Sequence, residues 1–130
     1  MNREEVSAWL DRYIDAWKSR DPEQIGALFT EDAVYRYRPY PGGKTLVGQQ
    51  AIVQGWLSHL DGPDDWEASY RVFAVEGDAA VAVGTTRYLG RDGVPDDVFH
   101  NCFLLGFGTG GRCAEFTEYW VLEPKEDEPG

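Results

Sequence analysis

Residues 9–56 read WLDRYIDAWKSRDPEQIGALFTEDAVYRYRPYPGGKTLVGQQAIVQGW, and this stretch decides the fold. It begins inside a long amphipathic helix, for which Asn2 and Glu5 supply a capping pair. The apolar stripe of this helix recurs at helical spacing and comprises Val6, Leu10, Tyr13, Ile14 and Trp17. Charged residues occupy the opposite side, so the pattern predicts a helix with one buried face.

A second, shorter helix restarts at Asp21-Pro22. Asp21 can cap it, Pro22 suits the first helical position, and Gln24 can close a capping box. We expect this helix to bury Ile25, Leu28 and Phe29. A strand with period-two alternation follows over residues 33–38, and a Pro/Gly loop over residues 39–43 ends it. A third helix is predicted from about Gln49 to Leu60.

The remainder reads as β-structure. Residues 66–76 and 79–89 flank Gly77-Asp78, a pair suited to a tight hairpin turn. Residues 98–107 and 112–122 flank a Gly-rich turn and predict a second hairpin. The order predicts an α+β fold, with three N-terminal helices packed on a curved, mainly antiparallel sheet that encloses one pocket. We assign residues 1–123 to this single domain and residues 124–130 to an acidic tail that we expect to fray.

Composition narrows the possible partners. The 130 residues carry a formal charge of −11, which argues against nucleic acid as a partner. The apolar runs are too short to cross a membrane, and no secretion signal is apparent, so we expect a cytoplasmic protein. Metal-ligand spacings and cofactor-binding motifs are missing from the sequence, so we predict neither a metal nor a cofactor.

Strand alternation predicts which side chains meet. With a turn at Gly77-Asp78, the expected pairs are Val72 with Val83, Tyr70 with Thr85, and Ala68 with Arg87. In the second hairpin they are Phe103 with Phe116 and Asn101 with Glu118, and Trp120 joins Phe99. One face then combines large apolar groups with Arg87, Asn101 and Glu118.

The opposite face of the predicted sheet mixes apolar and polar groups, which is typical of a protein–protein interface. We therefore predict a homodimer through this face. Its residues are Arg71, Phe73, Thr86, Tyr88, His100, Cys102, Leu104, Thr117 and Tyr119.

The chain resembles the nuclear transport factor 2-like (cystatin-like cone) superfamily, in its SnoaL-like and ketosteroid-isomerase-like branch. The resemblance rests on residues 10–14, 20–23 and 28–33, on Gly48 followed by Ala51-Ile52, and on Glu118-Tyr119-Trp120. It implies a cone with one pocket, and activities that include isomerases, cyclases, hydratases, dehydratases and pure binding modules.

The resemblance also implies site residues. Tyr13 falls where the isomerases keep an oxyanion-binding tyrosine, and Asn101 falls on their second hydrogen-bond donor. Their general-base aspartate falls on Tyr37, and a tyrosine is a poor base at neutral pH. This departure puts steroid isomerisation by that mechanism in doubt.

Glu118 is the predicted acid or base, because a carboxylate among aromatic groups has a raised pKa unless it is paired. The alternative is a structural ion pair with Arg87, which could also serve as a clamp for an anionic substrate. His59 is interpreted as a surface histidine near a helix end rather than a catalytic group, and His100 as facing the interface. Trp9 and Trp17 are interpreted as core residues. The predicted ligand-binding residues are Tyr37, Trp56, Tyr70, Phe103, Phe116 and Trp120.

Two functions remain open at this point. The first is a cofactor-independent isomerase, cyclase or hydratase acting on a small, largely apolar or aromatic molecule that bears an oxygen. In it, Tyr13 and Asn101 polarise the oxygen, Glu118 moves the proton, and Arg87 tunes Glu118. The second is a non-catalytic ligand-binding or dimerisation module with the same pocket.

Overall fold

The chain folds in the predicted order of helices and strands with one additional short strand, and the computed structural model describes residues 1–59 and 61–125. Within these residues the α-helices are α1 (Arg3–Ser19), α2 (Pro22–Ala27) and α3 (Gln49–Leu57). The strands are β1 (Phe29–Arg36), β2 (Thr45–Val47), β3 (Trp66–Glu76), β4 (Ala79–Tyr88), β5 (Asp97–Phe107) and β6 (Cys113–Leu122). Leu60 and the tail segment 126–130 lie outside the described residues.

The ends of α1 follow from local hydrogen bonds. The Asn2 side chain accepts from the Glu5 N–H at 2.8 Å, and the Glu5 carboxylate accepts from the Asn2 N–H at 3.0 Å. This is the predicted capping box. At the other end Arg20 adopts a left-handed conformation with φ 57°, and its N–H bonds to the Ala16 carbonyl. Arg20 also donates to the Leu57 carbonyl at 2.8 Å, which joins the ends of α1 and α3.

The cap of α2 agrees with the prediction only in part. Asp21 accepts from the Glu23 N–H at 2.9 Å, and Pro22 opens the helix. Gln24 does not close a capping box, because the Ser19 hydroxyl accepts from the Asp21 N–H at 3.2 Å instead. Gln24 accepts a hydrogen bond from that same hydroxyl at 2.6 Å.

The strands form one mixed sheet in the order β2-β1-β6-β5-β4-β3, in which β1 and β6 are parallel and the other neighbours antiparallel. The helices bury their apolar stripes against one face of this sheet, with Trp9 at the centre of the core in contact with Phe29, Phe107 and Phe116. The predicted α+β class is confirmed. The short edge strand β2 was not predicted, and β1 begins at Phe29 rather than Ala33.

The register of the β3–β4 hairpin corrects the prediction. Next to the turn Val75 pairs with Ala80, as a two-residue turn requires, but a β-bulge between Val72 and Ala74 shifts the rest by one residue. Val72 therefore pairs with Ala82, Tyr70 with Gly84, and Ala68 with Thr86. A one-residue shift reverses the face of every side chain on the partner strand. Thr86 and Tyr88 consequently face inward, while Arg87 faces outward.

The β5–β6 hairpin is also shifted, but by two residues. Phe103 pairs with Glu118 and Asn101 with Trp120, and the ladder is irregular beside the turn between Gly106 and Phe107. An even shift preserves the face of each side chain. Asn101, Phe103, Phe116 and Glu118 therefore lie on the inner face, although the predicted pairs Phe103–Phe116 and Asn101–Glu118 are wrong.

Candidate functional site

A cavity of about 640 Å³ opens between the inner face of the sheet, α1 and the end of α3. Aromatic side chains form most of its wall, and a few polar groups point into it. The lining residues are Tyr13, Trp17, Tyr37, Arg38, Tyr40, Gly42, Gly43, Lys44, His59, Trp66, Tyr70, Thr86, Tyr88, Phe99, Asn101, Glu118 and Trp120.

Four polar side chains from four adjacent strands form a continuous hydrogen-bonded row in this wall. Tyr70 on β3 contacts Thr86 on β4 at 2.5 Å, Thr86 donates to the Asn101 side-chain oxygen at 2.9 Å, and Asn101 Nδ2 donates to Glu118 Oε1 at 3.1 Å. We call Tyr70, Thr86, Asn101 and Glu118 the polar row.

The direction of these hydrogen bonds is fixed by the donors available. Thr86 has a single hydroxyl proton, which goes to Asn101, so the Tyr70 hydroxyl must donate to Thr86. The Asn101 oxygen therefore accepts from Thr86, and one Asn101 amide N–H donates to Glu118. Every bond of the polar row donates toward Glu118, and this arrangement holds the carboxyl in one orientation.

Glu118 ends the polar row in a mostly aromatic environment. Burial raises the pKa of Glu118 to about 7, although the positive charge of Arg38 and the hydrogen bond from Asn101 act in the opposite direction. In the part of the chain that the structure describes, no cation lies within ion-pairing distance of this carboxylate. A carboxyl with a pKa near 7 exchanges protons readily at neutral pH.

Tyr13 and Tyr35 form a buried hydroxyl pair beside Glu118. Their oxygens are 3.3 Å apart, and either can be the donor. Burial holds the pKa of both phenols well above the ordinary tyrosine value, with the Glu118 charge as a further cause. Both therefore stay protonated. If Tyr35 donates to Tyr13, the Tyr13 proton is left to point into the cavity, which Tyr13 lines.

Three buried polar atoms in the cavity wall lack a hydrogen-bond partner among residues 1–59 and 61–125: Tyr37 Oη, His59 Nε2 and Trp66 Nε1. Burial raises the pKa of Tyr37 to about 12, so its hydroxyl is a donor at neutral pH. Burial also lowers the pKa of His59, with the nearby Lys44 charge as a second cause. Unsatisfied buried polar groups are uncommon in proteins, and a bound ligand is one way to satisfy them.

The segment after β1 forms the cationic side of the cavity. The Arg38 guanidinium lies 5.0 Å from the centre of the Trp120 ring and donates to the Tyr37 carbonyl at 2.9 Å. Lys44 Nζ lies 4.7 Å from the centre of the Tyr37 ring. The Tyr37 N–H bonds to the Lys44 carbonyl at 3.0 Å and thereby fixes this segment as a closed loop over the cavity.

The predicted position of Arg87 is wrong. Its side chain is 44% exposed on the outer face and lies 3.6 Å from Glu67 and 3.2 Å from Asp96. The physical reason is the bulge in β3, which the alternation of apolar residues does not reveal. Arg87 therefore neither pairs with Glu118 nor reaches the cavity. The same bulge brings Tyr88, predicted at the interface, into the cavity wall.

The other predicted residues fall into two groups. Tyr13, Asn101 and Glu118 line the cavity, together with Tyr37, Tyr70 and Trp120. Trp56, Phe103 and Phe116 do not line it; they are buried behind it, where each ring packs against Tyr13. They support the pocket wall from inside the core.

Sequence reasoning missed several lining residues. Trp17 was interpreted as core and His59 as surface, but both line the cavity, with their rings 6.2 Å apart. The Pro/Gly loop could have suggested Arg38 and Lys44, because basic residues flank it on both sides. His100 faces outward as predicted and lies 2.9 Å from Glu123.

Over residues 1–59 and 61–125, no group of three or more His, Cys, Asp or Glu side chains is placed to hold a metal ion. No helix in the same ranges is long and apolar enough to span a bilayer.

A family profile described as the SnoaL-like domain matches residues 10–116. The chain belongs to the SnoaL-like family. The match begins in α1 and ends at Phe116 within β6, so it includes most of the elements that build the cavity of this SnoaL-like protein but stops before Glu118 and Trp120. A comparison with curated proteins finds no match.

Solved structures agree on the fold. An NTF-2 like protein from Burkholderia xenovorans LB400 superposes with a TM-score of 0.70 at 20% identity, covering 98% of this chain and 89% of that one. An NTF2-like protein from Mesorhizobium loti superposes with a TM-score of 0.62 at 25% identity, covering 92% of this chain and 93% of that one. An LEH-like epoxide hydrolase from M. tuberculosis superposes with a TM-score of 0.66 at 15% identity, covering 92% of this chain and 84% of that one. The SnoaL-like protein thus has the nuclear transport factor 2-like, cystatin-like fold.

Proposed function

We propose that this SnoaL-like protein is a cofactor-independent acid/base enzyme for a small, largely apolar molecule that carries a carbonyl or similar oxygen. Glu118 carries this proposal. It is a carboxyl in the wall of an aromatic cavity, its pKa is raised to about 7 by burial, and a neutral amide holds it in place. These are the properties of a group that accepts and returns a proton during a reaction.

The alternative role for Glu118, a structural ion pair, has little support. Its expected partner Arg87 lies on the outer face, where Glu67 and Asp96 neutralise it. The positive charge of Arg38 lowers the pKa of Glu118, but by less than burial raises it. A carboxylate kept for an ion pair would have a pKa below its ordinary value, and this one has a pKa above it.

The remaining polar groups take distinct roles in the proposal. Asn101 is a positioning residue for Glu118, because one of its two amide N–H groups donates to Glu118 and its oxygen accepts from Thr86. Tyr13 and Tyr37 are the donors for the substrate oxygen, since both phenols stay protonated and line the cavity. A pair of neutral donors stabilises the negative charge that develops on a carbonyl oxygen when a neighbouring C–H is deprotonated.

The proposed proton transfer, from a substrate carbon to Glu118 and back, needs no cofactor. The Glu118 carboxylate takes a proton from a carbon beside the carbonyl, and the C–H electron pair moves into the enolate, whose oxygen Tyr13 and Tyr37 bind. The Glu118 acid then returns the proton to another carbon of the conjugated system. In a hydration, the carboxylate would instead deprotonate the attacking water. The similar fold of the M. tuberculosis LEH-like epoxide hydrolase makes epoxides a second substrate class to examine.

Substrates can be sought by thermal shift, because a ligand that binds only the folded protein raises its melting temperature. A suitable panel contains steroids, polyketide-like aromatics, small enones and small epoxides. Compounds that stabilise the protein are then incubated with it, and conversion is followed by mass spectrometry or by proton exchange in deuterated water. Stabilising ligands that never react would favour a binding module.

The decisive variant is Glu118→Gln, with Glu115→Gln as its matched control. Glu115 lies on the same strand but is exposed on the outer face, next to Arg36. We expect Glu118→Gln to keep ligand affinity and to lower turnover by on the order of 10²-fold or more. Glu115→Gln should leave turnover unchanged. Turnover that survives Glu118→Gln removes the catalytic assignment.

We also propose that the protein is a homodimer through the outer face of the sheet. Phe73, Leu104, Tyr119 and Val121 are 60%, 41%, 45% and 68% exposed there. The same face carries both basic and acidic groups, which a two-fold contact can pair with each other. A second copy of the chain would cover this apolar surface.

A further inference from the structure

We propose that the cavity takes an organic anion, an aromatic carboxylate whose carboxylate group binds at Arg38 and Lys44 while its ring enters the aromatic interior. This inference names the substrate class of the proposed active site and rests on that proposal for its catalytic meaning. The binding itself rests on the geometry of the loop after β1 and on the charges that line the cavity.

Arg38 is held in position but keeps unused donors. Its side chain is half-buried, its guanidinium lies over the Trp120 ring, and its Nη1 donates to the Tyr37 carbonyl. An arginine has five N–H donors. Within residues 1–59 and 61–125, the Arg38 guanidinium donates one hydrogen bond, the one to the Tyr37 carbonyl. No carboxylate in those ranges forms an ion pair with it. A fixed guanidinium with free donors matches the geometry of a carboxylate.

Lys44 adds a second charge at the other end of the same loop. Its ammonium lies near the Tyr37 ring and, in the described part of the chain, forms no ion pair. Among the described residues, the formally charged ones that line the cavity are Arg38, Lys44 and Glu118, which give two positive charges against one negative. The whole chain carries −11. The net charge of the cavity wall is therefore positive, whereas the net charge of the whole chain is negative.

The interior is suited to the apolar part of such a ligand. Besides the loop residues, the aromatic side chains that line the cavity include Tyr13, Trp17, Trp66, Tyr70, Tyr88 and Phe99. Aromatic rings favour edge-to-face and offset contacts with a flat ligand. The Tyr37 hydroxyl belongs to a cavity-lining residue and has no hydrogen-bond partner in the described part of the chain, so it can bind an oxygen of the ligand.

The test compares two probes of the same shape, 2-naphthoate and its neutral analogue 2-naphthamide. Calorimetric titrations at physiological ionic strength, where distant surface charges are screened beyond about 8 Å, measure both affinities. We expect naphthoate to bind at least about 10-fold more tightly, the scale of one hydrogen bond between charged groups. The proposal is overturned if the amide binds equally well, or if naphthoate does not bind at millimolar concentration.

Substitutions test whether Arg38 and Lys44 are the residues that bind the carboxylate. Arg38→Gln should remove most of the preference for naphthoate while leaving the affinity for naphthamide unchanged, and Lys44→Gln should reduce the preference severalfold. Arg36→Gln is the matched control, because Arg36 lies on β1 but faces Glu115 on the outer side. A preference that persists in Arg38→Gln overturns the proposal. If Arg38→Gln weakens both probes, Lys44→Gln decides, and an unchanged preference there also overturns it.

These titrations are independent of catalysis, because neither probe needs to react. A negative result would leave Glu118 as the acid/base group of an enzyme for neutral substrates. Conversely, turnover that survives Glu118→Gln would leave carboxylate binding at Arg38 unaffected. The two proposals can therefore fail separately.

Discussion

At the scale of single residues, the pKa of Glu118 is set by burial and by the groups around the carboxyl. The charge of Arg38 and the neutral hydrogen bond from Asn101 lower this pKa by less than burial raises it, and the surrounding phenols stay protonated. Desolvation therefore dominates and favours the protonated acid. Such a group lowers the stability of the folded protein whenever it is ionised, which is a cost that active sites commonly carry.

This cost predicts how stability depends on pH. Because the pKa of Glu118 is about 7 in the folded protein and near 4.5 when unperturbed, its contribution is fully present below about pH 4.5 and is lost as pH rises through 7. Glu118→Gln should therefore be more stable than the wild type at pH 8, by up to about 3 kcal/mol, and similar to it at pH 4.5. Urea unfolding at both pH values measures this difference.

Comparing the wild type with Glu118→Gln separates the contribution of Glu118 to the pH dependence of stability from the contributions of the groups around it. The phenols of Tyr13, Tyr35, Tyr37, Tyr70 and Tyr88 do not titrate in this range, since burial raises the pKa of each. His59 is present in both proteins. If Glu118 were the structural ion-pair partner considered from the sequence, Glu118→Gln would instead be less stable at pH 8.

The polar row gives a second prediction at this scale. Thr86→Val keeps the shape of the side chain but removes the hydroxyl that connects Tyr70 to Asn101. Two buried polar atoms then lose their partner, so we expect a loss of about 1–3 kcal/mol in unfolding free energy. Thr85→Val is the control, because Thr85 faces outward on the same strand. Equal effects of the two substitutions in urea unfolding would contradict the importance of the row.

At the scale of elements, the bulge in β3 and a glycine on the neighbouring strand β4 shape the pocket. Beyond the bulge, Gly84 on β4 pairs with Tyr70. A Cβ atom at Gly84 would lie 2.0 Å from the Ser69 carbonyl oxygen and 2.7 Å from the Tyr70 Cα. The two strands thus approach each other more closely than any larger residue allows. This approach lies beside the first hydrogen bond of the polar row.

Gly84→Ala should therefore destabilise the protein. Because the contacts are with backbone atoms, no side-chain rotation relieves them, and we expect a loss of about 1–3 kcal/mol or more. Gly106→Ala, on β5, is the matched control, since a Cβ there meets only the Glu115 Cβ at 3.5 Å. Urea unfolding of both variants measures the effect. Tolerance of Gly84→Ala would show that the hairpin can relax.

The same two elements show how far the sequence could predict the structure. Helical spacing and the Asn2 and Asp21 caps located the helices, and period-two alternation placed Asn101 and Glu118 on the inner face. The bulge was not predictable, because Val81 and Val83 are as apolar as the small residues that actually face the core. Arg87 was therefore placed inside and Thr86 outside. The part of the cavity wall that comes from the loop after β1 was not predictable either. Its position depends on the backbone conformation of the loop, which the alternation of strand residues does not determine.

At the scale of the whole molecule, the cavity and the outer face are connected. A groove of about 600 Å³ shares five lining residues with the cavity: Arg38, Tyr40, Asn101, Glu118 and Trp120. Its far side is formed by outer-face residues, which are His100, Cys102, Tyr119 and Val121. A partner subunit on the outer face would cover this groove, so assembly and access to Glu118 are expected to be coupled.

The proposed homodimer predicts a mass of twice 14.6 kDa by light scattering at micromolar concentration. Leu104→Arg places a charge in the middle of the outer face, on β5, where an apolar contact could bury it only at high cost. We expect this variant to be monomeric. Val47→Arg is the control, because Val47 is 68% exposed on the edge strand β2 and does not belong to the outer-face patch; it should leave the mass unchanged. A wild-type protein that scatters as a monomer would rule out the dimer, and a Leu104→Arg variant that stays dimeric would move the contact to another surface.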